Sequence, residues 1–138
     1  MVDWDRFNRL DYTYQREKII SMLERWQAAV LPERYSIGAP NIEMLRDRVH
    51  VLSGPDNHAG FSTSTSTKPL LIQKLSAAIE HDGLQCPADY ADELRSYEVE
   101  TLAQGYPKFG APDGKHDDRV ISLALAWWAV SSMTWLMS

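Results

Sequence analysis

Cysteine is almost missing from this sequence: Cys86 stands alone among 138 residues. An intrachain disulfide and a cysteine-based zinc centre are therefore excluded, and a reducing cytoplasm is the natural compartment. Basic charge is also short, with 14 Lys and Arg against 19 Asp and Glu and a net charge of −5. No broad positive field is available to attract nucleic acid, so such a role needs a local basic patch or metal ions that offset the carboxylates. The N-terminus, Met-Val-Asp-Trp-Asp-Arg, has no apolar stretch of the kind a signal peptide needs. There is no G-x-x-x-x-G-K-S/T phosphate loop, no internal repeat and no linker, and a single domain over residues 1–138 is expected. Charge is absent from Val120 to Met137, a run near the length of a membrane-spanning helix. It contains Ser122, Ser131, Ser132 and Thr134 and has no flanking Lys/Arg cluster. It reads as a helix buried on most of its faces, and no membrane association is expected.

What is present is an alternation of helical periodicity with short apolar runs. Val2 to Asn8 reads as a short edge strand. Tyr12 to Gln27 is expected to be a helix, with Ile19, Ile20, Leu23 and Trp26 at helical spacing. Ala28 to Leu31 reads as a buried strand of a parallel sheet, Asn41 to Arg48 as a helix carrying Ile42 and Leu45, and Val49 to Leu52 as the next strand. Ser53 to Gly60 is a loop by composition. A helix follows the Ser/Thr-rich stretch after Phe61, capped by Thr67 or Ser66, with Pro69 near its start and Asp82-Gly83 at its end. Tyr90 to Tyr97 reads as a short helix, Glu98 to Leu102 as a strand, Tyr106 to Gly110 as a loop or hairpin arm, and Val120 onward as the last helix. Helices alternating with short strands place the chain in the α/β class.

The chemistry gathers around Gly114-Lys115-His116-Asp117-Asp118-Arg119-Val120, where a turn becomes the last helix. One reading of the Asp pair is a helix cap, since Asp is preferred there and favours the helix dipole. The other is a divalent metal site, because hard cations take carboxylate oxygens. Glu33 follows a candidate central strand, at the end where open α/β sheets place their sites. A strand-end Glu and a helix-start Asp pair can serve one cluster of two metals, the device that cuts phosphodiesters. Lys68, at a helix start behind Thr63-Ser64-Thr65-Ser66-Thr67, is a candidate for gripping a phosphate or a solvated helix start. Arg119 either contacts phosphate or pairs with the neighbouring carboxylates. His116 reads as a turn residue or as an orienter of a metal ligand.

The ordered stretches Asp5-Arg6-Phe7-Asn8, Glu33-Arg34-Tyr35-Ser36-Ile37-Gly38-Ala39-Pro40, Thr63 and Thr65 before Lys68-Pro69-Leu70-Leu71-Ile72, Glu93-Leu94 with Tyr97-Glu98, and Gly110-Ala111-Pro112 with Gly114 and His116 to Val120 span nearly the whole chain. In this set the sequence resembles the C-terminal nuclease domain of the large terminase subunit of tailed bacteriophages. The resemblance implies an RNase H-like partial sheet with flanking helices, and a Mg²⁺- or Mn²⁺-dependent endonuclease acting on double-stranded DNA in the host cytoplasm. It implies Glu33, Asp117 and Asp118 as catalytic metal ligands, Lys68 and Arg119 as DNA contacts, and other terminase or portal components as partners.

Three departures accompany it. The family's leading catalytic Asp lies on the first strand of the sheet, whereas this chain has 32 residues before Glu33, and Asp3 and Asp5 fall in the segment matching a later strand. The chain thus reads as N-terminally incomplete, with impaired cleavage expected. The packaging ATPase has no counterpart here. The loop from Gly54 to Gly60 is longer than the family pattern, and Pro32 before the Glu is unusual. The alternative reading is a non-catalytic prophage remnant or interaction module, assembling as a homo-oligomer through its last helix or an open sheet edge.

Overall fold

The computed structural model describes residues 3, 5, 11–95, 98–101, 107–110 and 118–137. Among them are six helices and one two-stranded hairpin: α1 (Tyr12–Trp26), α2 (Arg34–Ile37), α3 (Ala39–Arg46), α4 (Lys68–Glu80), α5 (Ala88–Arg95), β1 (Glu98–Thr101), β2 (Pro107–Gly110) and α6 (Asp118–Met137). They fall into two compact units, Val2–Ser62 and Thr63–Ser138.

In the first unit, α1 begins where expected because Asp11 caps it, its Oδ1 accepting the Tyr14 amide at 2.8 Å. It ends at Gln27, in the left-handed region at φ 49. The Ala28 amide then turns back to the Leu23 carbonyl at 2.9 Å, a Schellman-type closure. α1 packs on α3, where Ile20, Ile42 and Leu45 are buried. Asn41 ties the helices together by accepting from Arg16 at 2.7 Å and donating to the Ile37 carbonyl at 2.8 Å.

The two parallel strands expected in this unit are much reduced. Val30 bridges Val51, and Glu33 bridges Phe61. Ala28 and Ala29 are exposed, and Ala28 is spent on closing α1, so the expectation of a buried four-residue strand is corrected to a single bridge. Partner positions lie 21 apart at Val30 and Val51 but 28 apart at Glu33 and Phe61. Seven extra residues thus leave the pairing and return to it. Residues 54–60 form this excursion, its neck closed by the Gly54 amide on the Gly60 carbonyl at 3.1 Å. Both glycines are required there. A Cβ on Gly54 would stand 2.9 Å from the Gly60 oxygen, and Gly60 has φ +80 with Pro32 oxygen 3.1 Å from its Cβ position.

In the second unit, α4 packs against α6 and β2, and α5 against α6. Leu71, Ile72, Leu75 and Ala78 of α4 meet an α6 that buries Val120, Leu123, Ala124, Leu125 and Ala129. Each fully buried Leu or Val contributes about 1.5–3 kcal/mol. The start of α4 differs from expectation, since Thr67 provides no side-chain cap. Ser64 organises the preceding turn instead. Its Oγ accepts from the Thr67 amide at 3.2 Å, while its own amide donates to Thr67 Oγ1 at 2.9 Å. The helix closes at Asp82, φ 55, with the Gly83 amide on the Ala78 carbonyl at 2.8 Å. β1 and β2 pair antiparallel, Glu98 opposite Gly110 and Thr101 opposite Pro107, so 107–110 is a hairpin arm. Among the described residues no helix is long and apolar enough to cross a membrane. The only strand pairing among them is this hairpin and the isolated bridges, so the sheet of the expected α/β fold is present only in part. Of the expected edge strand over Val2 to Asn8, only Asp3 and Asp5 are among the described residues, and neither lies in a strand.

Candidate functional site

Glu33 sits where the extended segment becomes α2. Its backbone is extended, φ −74 and ψ 117, and its carbonyl accepts from the Ile37 amide at 3.2 Å. The flanking peptides are pinned on both sides: the Phe61 amide donates to the Pro32 carbonyl at 2.8 Å, and the Arg34 amide to the Phe61 carbonyl at 2.9 Å. Glu33 is half-buried as a residue, and its side chain does not cap α2. The backbone that carries this carboxylate is thus fixed on both sides.

Arg34, next in sequence, was not singled out by its type or spacing, yet it holds the whole excursion. Its guanidinium forks onto Asp56, Nη1 to Oδ2 at 2.8 Å and Nη2 to Oδ1 at 2.9 Å. It also donates to three carbonyls inside the loop: Ala59 at 3.1 Å, His58 at 3.2 Å and Gly60 at 3.1 Å. Three nitrogens in one plane that together reach a carboxylate and three carbonyls are a use only arginine serves. The fork and the His58 amide hold the Asp56 carboxyl well below the usual carboxylate range, and Asp56 in turn pushes the Arg34 guanidinium up. In the sequence, Asp56 stands in the turn composition Gly54-Pro55-Asp56-Asn57, and Arg34 in the stretch that follows Glu33.

Asp118 is the first residue of α6; its side chain, all of Asp117 and His116 lie outside the described residues. The structure does show what surrounds the start of α6. Glu93 of α5 places Oε1 2.9 Å from the Arg119 amide and 3.2 Å from the Val120 amide. Arg119 Nη1 pairs with Asp89 at 2.9 Å, its Nε lies 4.0 Å from Glu93 Oε2, and its guanidinium lies over Tyr90 at 5.8 Å. Burial pushes the Tyr90 phenol up, with the Arg119 charge pulling the other way. Arg119 therefore pairs with α5 carboxylates; pairing with Asp117 or Asp118 was the expected alternative to a DNA contact. Lys68 opens α4, half-buried, its amide bound to the Ser64 carbonyl at 2.9 Å. Asp3 is held by Trp26 at 2.7 Å and Arg25 at 3.5 Å, and Asp5 by Lys18 at 3.2 Å. Among the described residues no group of three or more His, Cys, Asp or Glu is gathered as a metal site.

No protein-family model matches the chain, and no curated protein matches it. Solved structures do. The large terminase nuclease from thermophilic phage G20c with bound magnesium superposes with a TM-score of 0.74 at 26% identity, over 90% of this chain and 65% of that one. The same nuclease with bound cobalt gives a TM-score of 0.74 at 27% identity and the same coverage. The large terminase nuclease domain of Thermus phage P74-26 gives 0.71 at 25% identity, over 89% of this chain and 62% of that one. The chain spans about 65% of the length of the G20c nuclease. The resemblance carried by the sequence motifs thus holds in three dimensions: the chain is similar in structure to phage large-terminase nucleases.

Proposed function

We propose that this chain carries part of the nuclease site of a tailed-phage large terminase, whose reaction is endonucleolytic cleavage of double-stranded DNA during packaging. Glu33, Asp117 and Asp118 would hold Mg²⁺ or Mn²⁺. The observation that carries the reading is the structural likeness over nine-tenths of the chain to a nuclease crystallised with magnesium. The placement of Glu33 supports it: the carboxylate follows a parallel bridge, on a backbone fixed by hydrogen bonds, and is not used to cap α2. An all-carboxylate donor set suits hard cations.

When bound, such a cation would lower the pKa of a water and stabilise charge on the phosphate oxygens. The chain's own part is to hold the donors. Pro32 and Arg34 backbone bonds to Phe61 keep Glu33 in place, and Lys68 at the start of α4 is the side chain proposed to meet a DNA phosphate. For Arg119 to join it, a phosphate must compete with Asp89 and Glu93.

Calorimetric titration with Mn²⁺ tests the proposal. Saturable binding is expected in the wild type and is expected to be lost both in Glu33→Ala and in the Asp117→Ala, Asp118→Ala double variant. A folded chain that binds no Mn²⁺, or binding untouched by either change, overturns it.

A further inference from the structure

The residues on either side of Glu33 are clamped to the end of the 54–60 loop. The Phe61 amide donates to the Pro32 carbonyl at 2.8 Å, and the Arg34 amide to the Phe61 carbonyl at 2.9 Å. A Cβ on Gly60 would stand 3.1 Å from the Pro32 oxygen and 3.5 Å from Arg34 Cβ, so the loop end lies directly on both neighbours of Glu33. These backbone bonds hold Glu33 only as well as the loop returns Phe61 to its place. Burial does little to ensure that return, since Pro55 to His58 are exposed. Asn57 and Gly60 also both take positive φ, 64 and 80. What draws the loop in is Arg34, whose side chain is 20% exposed. Its guanidinium takes Asp56 on the outgoing arm and the carbonyls of His58, Ala59 and Gly60 on the returning one. The donor is charged throughout, and such bonds are stronger than neutral ones.

We infer that Arg34 is a positioning residue for Glu33. Its guanidinium braces one arm of the loop against the other and so fixes Phe61, which in turn fixes the peptides flanking Glu33. The coupling is reciprocal. A cation held by Glu33 favours the closed loop, because it gains most from the conformers that present the carboxylate in the braced geometry. The order of the loop then reports on the metal. The brace stands on the hydrogen bonds alone; the benefit to a metal rests on the function proposed above.

The test separates the two. Hydrogen exchange over residues 54–61, followed by mass spectrometry on the full chain, is expected to quicken about tenfold in Arg34→Lys. Calorimetry is expected to show Mn²⁺ affinity several-fold weaker in the same folded variant. Asp56→Asn leaves Arg34 its three carbonyls. It is expected to shift both readings the same way by less, and it decides the matter if Arg34→Lys does not fold. Adding Asp56→Asn to Arg34→Lys is expected to weaken Mn²⁺ binding no further, since the two changes break one brace. Saturating Mn²⁺ is expected to slow exchange over 54–61 in the wild type but not in Arg34→Lys. Ile20→Val, which loosens α1 instead of the loop, is expected to leave Mn²⁺ affinity unchanged. Unchanged exchange in Arg34→Lys overturns the brace. Wild-type Mn²⁺ affinity in a folded Arg34→Lys with a quickened loop, or an equal loss in Ile20→Val, overturns the positioning role. Quickened exchange together with no Mn²⁺ binding by the wild type upholds the brace and overturns the nuclease reading, along with the positioning role that depends on it.

Discussion

Arg34 and Asp56 face each other fork to fork, with two near-parallel bonds of 2.8 and 2.9 Å. Through this pair a side chain beside Glu33 grips a loop 22 residues further along the chain. The rigidity of the Glu33 backbone and the shape of the loop are therefore one property. Lysine keeps the charge but has no fork to reach a carboxylate and three carbonyls at once. Arg34→Lys is expected to open residues 54–60 to limited proteolysis and to lower the melting temperature, while Met44→Gln, on α3 and 50% exposed, is expected to do neither.

The pH dependence follows from the direction of the Asp56 shift. Arg34 and the His58 amide depress its folded pKa, so its stabilisation is complete above the unfolded value of about 4. It is lost as pH falls toward the folded value. The gap in melting temperature between the wild type and Asp56→Asn is expected to stay constant from about pH 5 to 8 and to shrink below about pH 4. A gap that instead grew in acid would contradict the pairing.

Gly60 carries both a positive φ of +80 and close backbone and side-chain neighbours. Gly60→Ala is expected to cost about 1–3 kcal/mol, read as a shifted urea midpoint with an unchanged slope.

Phe61 is 2% exposed and bridges Glu33. Phe61→Ala is expected to destabilise by about 3–5 kcal/mol. If Glu33 serves as a metal ligand, Phe61→Leu, which refills much of the volume, is expected to weaken Mn²⁺ binding less than Phe61→Ala does at equal folded fraction.

Helices were legible in the sequence because their signals are local. Ile42 and Leu45 recur at helical spacing, and Pro69 and Asp82 punctuate the ends. The strands were not, because pairing is settled far away in sequence. Ala28 opens a short apolar run that reads as a strand, yet the preceding helix claims its amide. Phe61 looked like the lead-in to a Ser/Thr-rich segment, and its place beside Glu33 depends on seven residues leaving the pairing. Around the candidate site, Glu33 could be proposed from its place after an apolar run. Arg34 and Glu93 act through contacts 22 and 26 residues away, with no local pattern to announce them. Glu93 entered the sequence reading only as part of the family resemblance.

The excursion at 54–60 also bears on how this chain tolerates change in length. Removing those seven residues in thought leaves Phe61 opposite Glu33 with the same offset that joins Val30 to Val51. The pairing on either side keeps its phase, so every side chain keeps the face it had. The loop is a cassette: its glycine neck is the clasp and Arg34 the latch. A tag spliced in at the Asn57–His58 tip would pull on that latch, because the His58 amide holds Asp56 and the His58 carbonyl takes Arg34.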